Sequence, residues 1–281
     1  MEFTKKDMYE YQIEAEMEKT FYDLGAERLG YPSIVASGDN ACILHYSTNR
    51  EKVDNNGLIL IDAAAEFKMY SSDVTRTFPV NGKFTKVQQD VYTEVLKAQE
   101  IGIKNVTTKK TMSDIHTSTV ASISQSLVDL GLVPMGVEET ISMMHYFEFF
   151  MHGTGHWLGL DVHDAGTTEE KNKPRKLKPG MVTTIEPGIY IRPNKPEIEF
   201  KLLERDPKKI RERRKSLGME KATKLESEEM KDAKSIKHKI PKDLLGIGIR
   251  IEDDIVCTEN DPINLTIGAP KTIDDVEAIC S

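Results

Sequence analysis

The chain has 281 residues, with 38 Lys and Arg against 46 Asp and Glu for a formal net charge of −8. That length suits one large domain or two small ones, and a hydrophobic share of 38% before its 18 glycines are counted excludes a disordered tail. No apolar run approaches the roughly 18–20 residues that cross a bilayer, and the opening MEFTKKDMYEYQIEAEMEK is too polar for a secretory leader. A soluble, cytoplasmic protein is expected.

The first helix is expected from about Met8 to Leu24, where Ile13, Met17, Phe21 and Leu24 recur at helical spacing and Gly25 offers a stop. The β-branched run Gly57–Asp62 and the stretch Tyr70–Phe78 read as a β-hairpin. Thr85 caps a helix to about Ile103, and Ser113 is expected to cap another that ends at Gly131. A helical patch precedes Phe150, a glycine-rich stretch holds His152 and His156, and strands are expected at Gly180–Glu186 and Gly246–Val256. The pattern predicts an α+β fold with an antiparallel sheet. Residues 201–243 break it, with 15 Lys and Arg against 9 Asp and Glu. They read as a solvated, partly helical excursion in preference to a nucleic-acid or acidic-partner surface.

Cys42, Cys257 and Cys280 are odd in number and far apart, which supports neither a disulfide framework nor a cysteine zinc site. A metal is therefore left to oxygen and imidazole ligands. A register that makes Asp62 and Asp73 direct partners puts the two-residue turn at Phe67 and Lys68. Facing carboxylates lie about 4.5–5.5 Å apart at Cβ, so a cation or a proton must separate them. The alternative is that one Asp is a turn or edge residue in another register.

Alternation puts Ile247, Ile249 and Ile251 on one strand face and Arg250 and Glu252 on the other. Val182, Thr184 and Glu186 likewise share a face, and Pro187 ends that strand. His152, His156 and His163 fall among Gly153, Gly155 and Gly159, a composition that suits a tight pocket wall. Four carboxylates with an imidazole form a hard set for Mn, Mg, Fe(II) or Co, and their number favours two ions over one.

The segments IDAAAEFKMYSSDVTRTFPVNGKFT, FFMHGTGHWLGLDVHDAG, PGMVTTIEPGIYI and GIGIRIEDDIV resemble, in order, those of the proline-specific metallopeptidases. The resemblance covers about residues 8–200 and 244–281 and is strongest to the bacterial Xaa-Pro aminopeptidase branch. It implies the pita-bread fold of creatinase and methionine aminopeptidase, a curved antiparallel sheet covered by helices. It implies that Asp62 binds one metal, His156 and Glu186 the other, and that Asp73 and Glu252 bridge both. His45, His152 and His163 match histidines that line the substrate site and steady the tetrahedral intermediate, and Arg250 matches a supporting arginine. Two divalent ions, Mn2+ first with Co2+, Fe2+ or Zn2+ as substitutes, would activate a water against the Xaa-Pro bond, with Glu186 moving the proton.

An Xaa-Pro dipeptidase is the nearest alternative, although such enzymes generally carry Phe where this chain has Trp157. A non-catalytic, nucleic-acid or protein-binding member of the fold is a further one. Ala64, Thr154 and Ala165 depart from the usual Gly, Leu and Val without removing a ligand. The resemblance also implies one catalytic domain over 1–281 with 201–243 inserted in it, no membrane contact and a possible homo-oligomer. The non-catalytic domain and first helix usual in such enzymes are not matched before Met8, and an exposed apolar patch is expected where that helix would pack.

Overall fold

The computed structural model describes residues 1–171 and 173–280; Asn172 and Ser281 lie outside them. Helix α1 spans Glu10–Asp23 and is followed by Gly25 with φ +96°, a conformation that a side chain would resist. The short strand β1 (Arg28–Leu29) leads to β2 (Ile34–Ser37) and β3 (Leu58–Ala63). A narrow hairpin of β4 (Ala65–Phe67) and β5 (Tyr70–Ser71) then turns the chain back into β6 (Val74–Pro79).

Helix α2 (Lys86–Lys104) opens on Thr85, whose hydroxyl accepts from the Gln88 amide as expected. Helix α3 (Met112–Asp129) begins earlier than expected: Thr111, not Ser113, caps it, because Thr111 and Asp114 satisfy each other's amides reciprocally. Gly131 follows it in the left-handed region, with φ +67°. The patch before Phe150 is helix α4 (Val137–Ser142) and one 3-10 turn.

Strands β7 (Glu169–Glu170) and β8 (Lys173–Pro174) form a small surface ladder. Strands β9 (Val182–Ile185) and β10 (Gly188–Tyr190) flank Glu186. The charged excursion is built on a strand pair, β11 (Glu197–Lys201) with β12 (Ser235–Lys239), which carries a helical hairpin of α5 (Pro207–Leu217) and α6 (Met219–Asp232). Basic α5 lies against acidic α6, with Arg213 on Glu229 and Arg214 on Glu226, so two of the α5 cations are answered within the hairpin. The C-terminal part supplies β13 (Gly248–Arg250), β14 (Asp253–Val256), β15 (Ile263–Asn264) and α7 (Ile273–Cys280).

Every strand pair among the described residues is antiparallel. One sheet has the order β2-β3-β6 and a second β15-β14-β9, while β13 pairs with β10. Helices α1 and α7 cover the first sheet through Ile13 and Val276 on Val35, Ile59 and Phe78. Helices α2 and α3 cover β10 and β13 through Val95, Ala98, Ile123 and Leu127 on Ile189 and Ile249. The predicted apolar set Ile247, Ile249 and Ile251 enters this core together, which leaves Arg250 and Glu252 to the opposite face.

The two parts of the molecule join where β6 meets the β13–β14 segment. The Glu252 amide donates to the Thr75 carbonyl at 3.1 Å, and the Arg250 amide donates to Thr77 Oγ1 at 3.2 Å. Behind this seam the buried Arg76 guanidinium reaches the Glu252 carbonyl at 2.5 Å, Asp253 at 2.6 Å and the carbonyls of Ala269 and Pro270. Lys271 adds a second cation to Asp253 at 2.6 Å. A buried carboxylate is tolerated when it is paired and fully hydrogen-bonded in this way. No helix among the described residues is long and apolar enough to cross a membrane.

Candidate metal centre

Asp62 lies near the end of β3 and Asp73 just before β6. The expected direct pairing of the two is wrong: Asp62 pairs with Thr75, and Phe67 pairs with Tyr70. The turn therefore falls on Lys68 and Met69, which take φ +50° and +72°. A type I′ hairpin turn requires left-handed residues at both central positions, and this one uses side chains with no Asn-Gly signature. Asp73 is a diagonal neighbour of Asp62, still within reach on the same face. The Tyr31 hydroxyl closes the gap, contacting Asp62 Oδ1 and standing 2.5 Å from Asp73 Oδ1.

The remaining ligand candidates arrive from the glycine-rich stretch and the strand ends. Residues 154–158 run along β9: the Thr184 amide donates to the His156 carbonyl, the Glu186 amide to the Thr154 carbonyl and the Leu158 amide to the Val182 carbonyl. This pairing works because residue 155 has no side chain; a Cβ there would overlap the Thr184 carbonyl oxygen. We expect Gly155→Ala to destabilise the fold by about 3 kcal/mol, as backbone overlap has no side chain to absorb it, with a denaturant midpoint as the measurement. An unchanged midpoint would show that the loop can lift off β9 freely.

His156 Nδ1 meets the Trp157 carbonyl at 3.0 Å, so that nitrogen carries the proton. Its Nε2 is turned to Asp73 Oδ2 at 3.3 Å and Glu186 Oε1 at 3.8 Å. Glu252 Oε2 accepts from Thr75 Oγ1 at 2.6 Å. Arg250 donates through Nη2 to Asp62 Oδ2 at 2.5 Å, through Nε to Thr75 Oγ1 at 3.1 Å and through Nη1 to the Tyr190 hydroxyl at 3.0 Å. One arginine thus holds Asp62 directly and Glu252 through a threonine.

Burial pushes Glu186 up to about 7 and raises Glu252 and Asp73, despite the counter-charges of Arg250 and His156. Burial pulls His156 down, but its hydrogen bond to Asp73 and the nearby Glu186 leave it above the ordinary imidazole value. A dry pocket that forces carboxylates toward neutrality has the electrostatics of a cation site. Donor atoms of Asp73, His156 and Glu252 all lie within 4.8 Å of one another, and hard oxygen with one imidazole suits divalent ions. The residues present fit the implied metals.

This cluster floors a cavity of about 560 Å³. All the residues singled out from sequence come to it: Asp62, Asp73, His156, Glu186, Glu252 and Arg250 at its floor, with His45, His152 and His163 around them. His45 and His163 are exposed, but partial desolvation of its ring and the neighbouring His156 keep His163 below the ordinary imidazole value. His152 is different, with both ring nitrogens engaged by protein atoms, Tyr190 on one side and Gly153 on the other. Tyr31, Thr75 and Tyr190 were not singled out by the sequence reading. Thr75 and Tyr190 sit inside quoted segments and Tyr31 lies well before the first, but a hydroxyl that serves another ligand has no spacing signature.

A carboxylate-rich, metal-fitting cavity at the seam of two antiparallel sheets is the arrangement of the pita-bread fold. The sequence pattern of metallopeptidase family M24 matches residues 1–259, and the chain belongs to that family. It is 38% identical to the Xaa-Pro aminopeptidases of Haemophilus influenzae and of Escherichia coli, over 99% of this chain and 54% and 53% of theirs. The structure of Pseudomonas aeruginosa aminopeptidase PepP superposes with a TM-score of 0.82 at 38% identity, over 99% of this chain and 54% of that one. A glutamate-to-alanine variant of E. coli aminopeptidase P in complex with substrate gives 0.80 at 37%, over 99% and 53%. The chain thus spans about half the length of the curated relatives it matches.

Proposed function

We propose that this chain releases the N-terminal residue from peptides with proline in second position, acting on cytoplasmic peptides as a single catalytic domain with 201–243 inserted in it. The observation that carries the reading is the gathering of Asp62, Asp73, His156, Glu186 and Glu252 on one cavity floor, in a chain aligned over 99% of its length with enzymes named for Xaa-Pro bonds. Asp62 would hold one divalent ion, His156 and Glu186 the other, and Asp73 and Glu252 would bridge, with manganese the expected occupant. Bound there, such ions lower the pKa of water and polarise a carbonyl.

The chain's own groups supply the rest. Glu186, on the cavity floor beside the other proposed ligands, is placed both to take a proton from the attacking water and to give it to the departing proline nitrogen. His163 and His45 stand on the cavity wall with no protein hydrogen bond to their rings among those described, free to donate to the oxyanion. Arg250 keeps Asp62 and Glu252 in place. Pro32, Ile34, Leu44 and Val162 give the cavity an apolar side suited to a pyrrolidine ring.

The test is manganese-loaded protein assayed with Xaa-Pro-Yaa, Xaa-Ala-Yaa and the dipeptide Xaa-Pro. We expect cleavage of Xaa-Pro-Yaa at least about a hundredfold faster than the alanine peptide, a discrimination of roughly 3 kcal/mol. Equal rates on the first two would refute the proline preference, and cleavage of the dipeptide alone would make the chain a dipeptidase.

A further inference from the structure

His152 is the histidine whose role the cavity does not explain, because neither of its nitrogens is free. The direction of the hydrogen bonds around it is forced from both ends. Arg250 Nη1 has only protons to give, so at 3.0 Å from the Tyr190 hydroxyl it donates and the phenolic oxygen accepts. The Tyr190 proton must then go to its other neighbour, His152 Nε2, at 2.8 Å. At the opposite side of the ring His152 Nδ1 lies 2.8 Å from the Gly153 carbonyl, which only accepts. Both ends require the same state: a proton on Nδ1 and a lone pair on Nε2.

The fold is shaped for this chain of bonds. Gly188 pairs with Arg250 across the β10–β13 ladder, and the fully buried Tyr190 turns its ring back over Gly188. A Cβ at position 188 would stand 2.5 Å from the Tyr190 hydroxyl and 2.7 Å from its Cζ, so a side chain there would evict the phenol from its place between Arg250 and His152. The Phe150 ring meets the His152 imidazole edge-on at 4.9 Å and restricts its rotation. What remains of Nδ1–H beyond the Gly153 carbonyl faces Glu186 Oε2 at 3.6 Å.

We propose that Tyr190 is a positioning residue that fixes His152 as its Nδ1–H tautomer, so that His152 exchanges no proton with substrate and instead orients Glu186. This rests on the function proposed above for Glu186, and it reassigns His152 from the oxyanion-steadying set, which becomes His163 and His45.

Isotope-labelled histidine NMR on the zinc-loaded protein tests it without substrate. The His152 signals, assigned by their loss in His152→Gln, should show the proton on Nδ1 and an acceptor Nε2; a proton on Nε2 overturns the proposal. That result is independent of whether Xaa-Pro peptides are cleaved, so it separates this inference from the functional reading. In Tyr190→Phe the Nε2 signal should move toward that of a free lone pair, with kcat down about tenfold, the loss of one hydrogen bond of about 1.4 kcal/mol, and KM within about twofold. An unmoved Nε2 signal in that variant overturns the proposal. If the variant fails to fold, the wild-type spectrum alone still decides the tautomer.

Discussion

Stripped of metal, the protein is expected to lose stability as pH rises from about 5 to about 7.5, and divalent metal should reverse the trend. Burial lifts Glu186 from 4.5 to about 7, and Glu252 and Asp73 move in the same direction. A carboxyl whose pKa is raised by folding binds its proton more tightly in the native state. Its contribution is therefore complete below about pH 4.5 and is lost as pH climbs through about 7. At about 1.4 kcal/mol per unit, Glu186 alone contributes about 3 kcal/mol to this slope, enough to move a melting temperature by several degrees in a chain of this size. A cation bound by the same oxygens rewards the charged form, so the metal-loaded protein should gain stability over the same range. Asp73→Asn separates the two effects. It removes one buried charge beside Asp62 and His156, so the metal-free variant should melt higher than wild type at pH about 7.5 while its metal-induced shift falls toward zero. Thermal melts at several pH values with chelator or manganese decide the matter. A variant less stable than wild type without metal would mean that the contacts of Asp73 with Tyr31 and His156 outweigh the cost of its buried charge.

Why sequence alone groups these carboxylates but not their geometry is clearest in the hairpin. Two aspartates eleven residues apart in a strand-like run imply a shared face in several registers, since side chains alternate with period two. The register itself hangs on the turn, and Lys68 and Met69 enter left-handed conformations that their side chains do not advertise. Alternation placed Arg250 and Glu252 correctly because Ile247, Ile249 and Ile251 supply an unambiguous buried face. At the start of α3 Ser113 and Thr111 are both competent caps two residues apart, and only the reciprocal bonds with Asp114 select Thr111. In 201–243, charge predicted solvent exposure but not form. The strands β11 and β12 are anchored by Phe200 and Ile240 in the main core, and the helices between them pair Arg with Glu at a spacing that a charge count does not display. Least legible were Tyr31, Thr75 and Tyr190, whose importance lies in hydroxyls directed at other side chains across the seam.

Glu186→Gln should lower kcat on Xaa-Pro-Yaa by about 10³-fold, within the 10²–10⁴ range of a positioned general acid–base group, while KM changes by less than about threefold. The isostere is well chosen for this site. The backbone amide of Glu186, not its side chain, makes the bond to the Thr154 carbonyl, and the carboxylate stands 3.6 Å from His152 Nδ1 and 3.8 Å from His156 Nε2. No strong side-chain hydrogen bond has to break, so the variant should fold, and by removing a costly buried charge it should be at least as stable as wild type without metal. Metal content must be measured alongside the kinetics, because the proposed roles of Glu186 as ligand and as proton carrier predict different patterns. Loss of one ion with proportional loss of activity, restored by excess manganese, would assign the residue to metal holding alone. Full metal occupancy with a 10³-fold slower turnover would assign it to proton transfer, since an amide can still offer an oxygen to a cation but cannot carry the proton from water to the proline nitrogen.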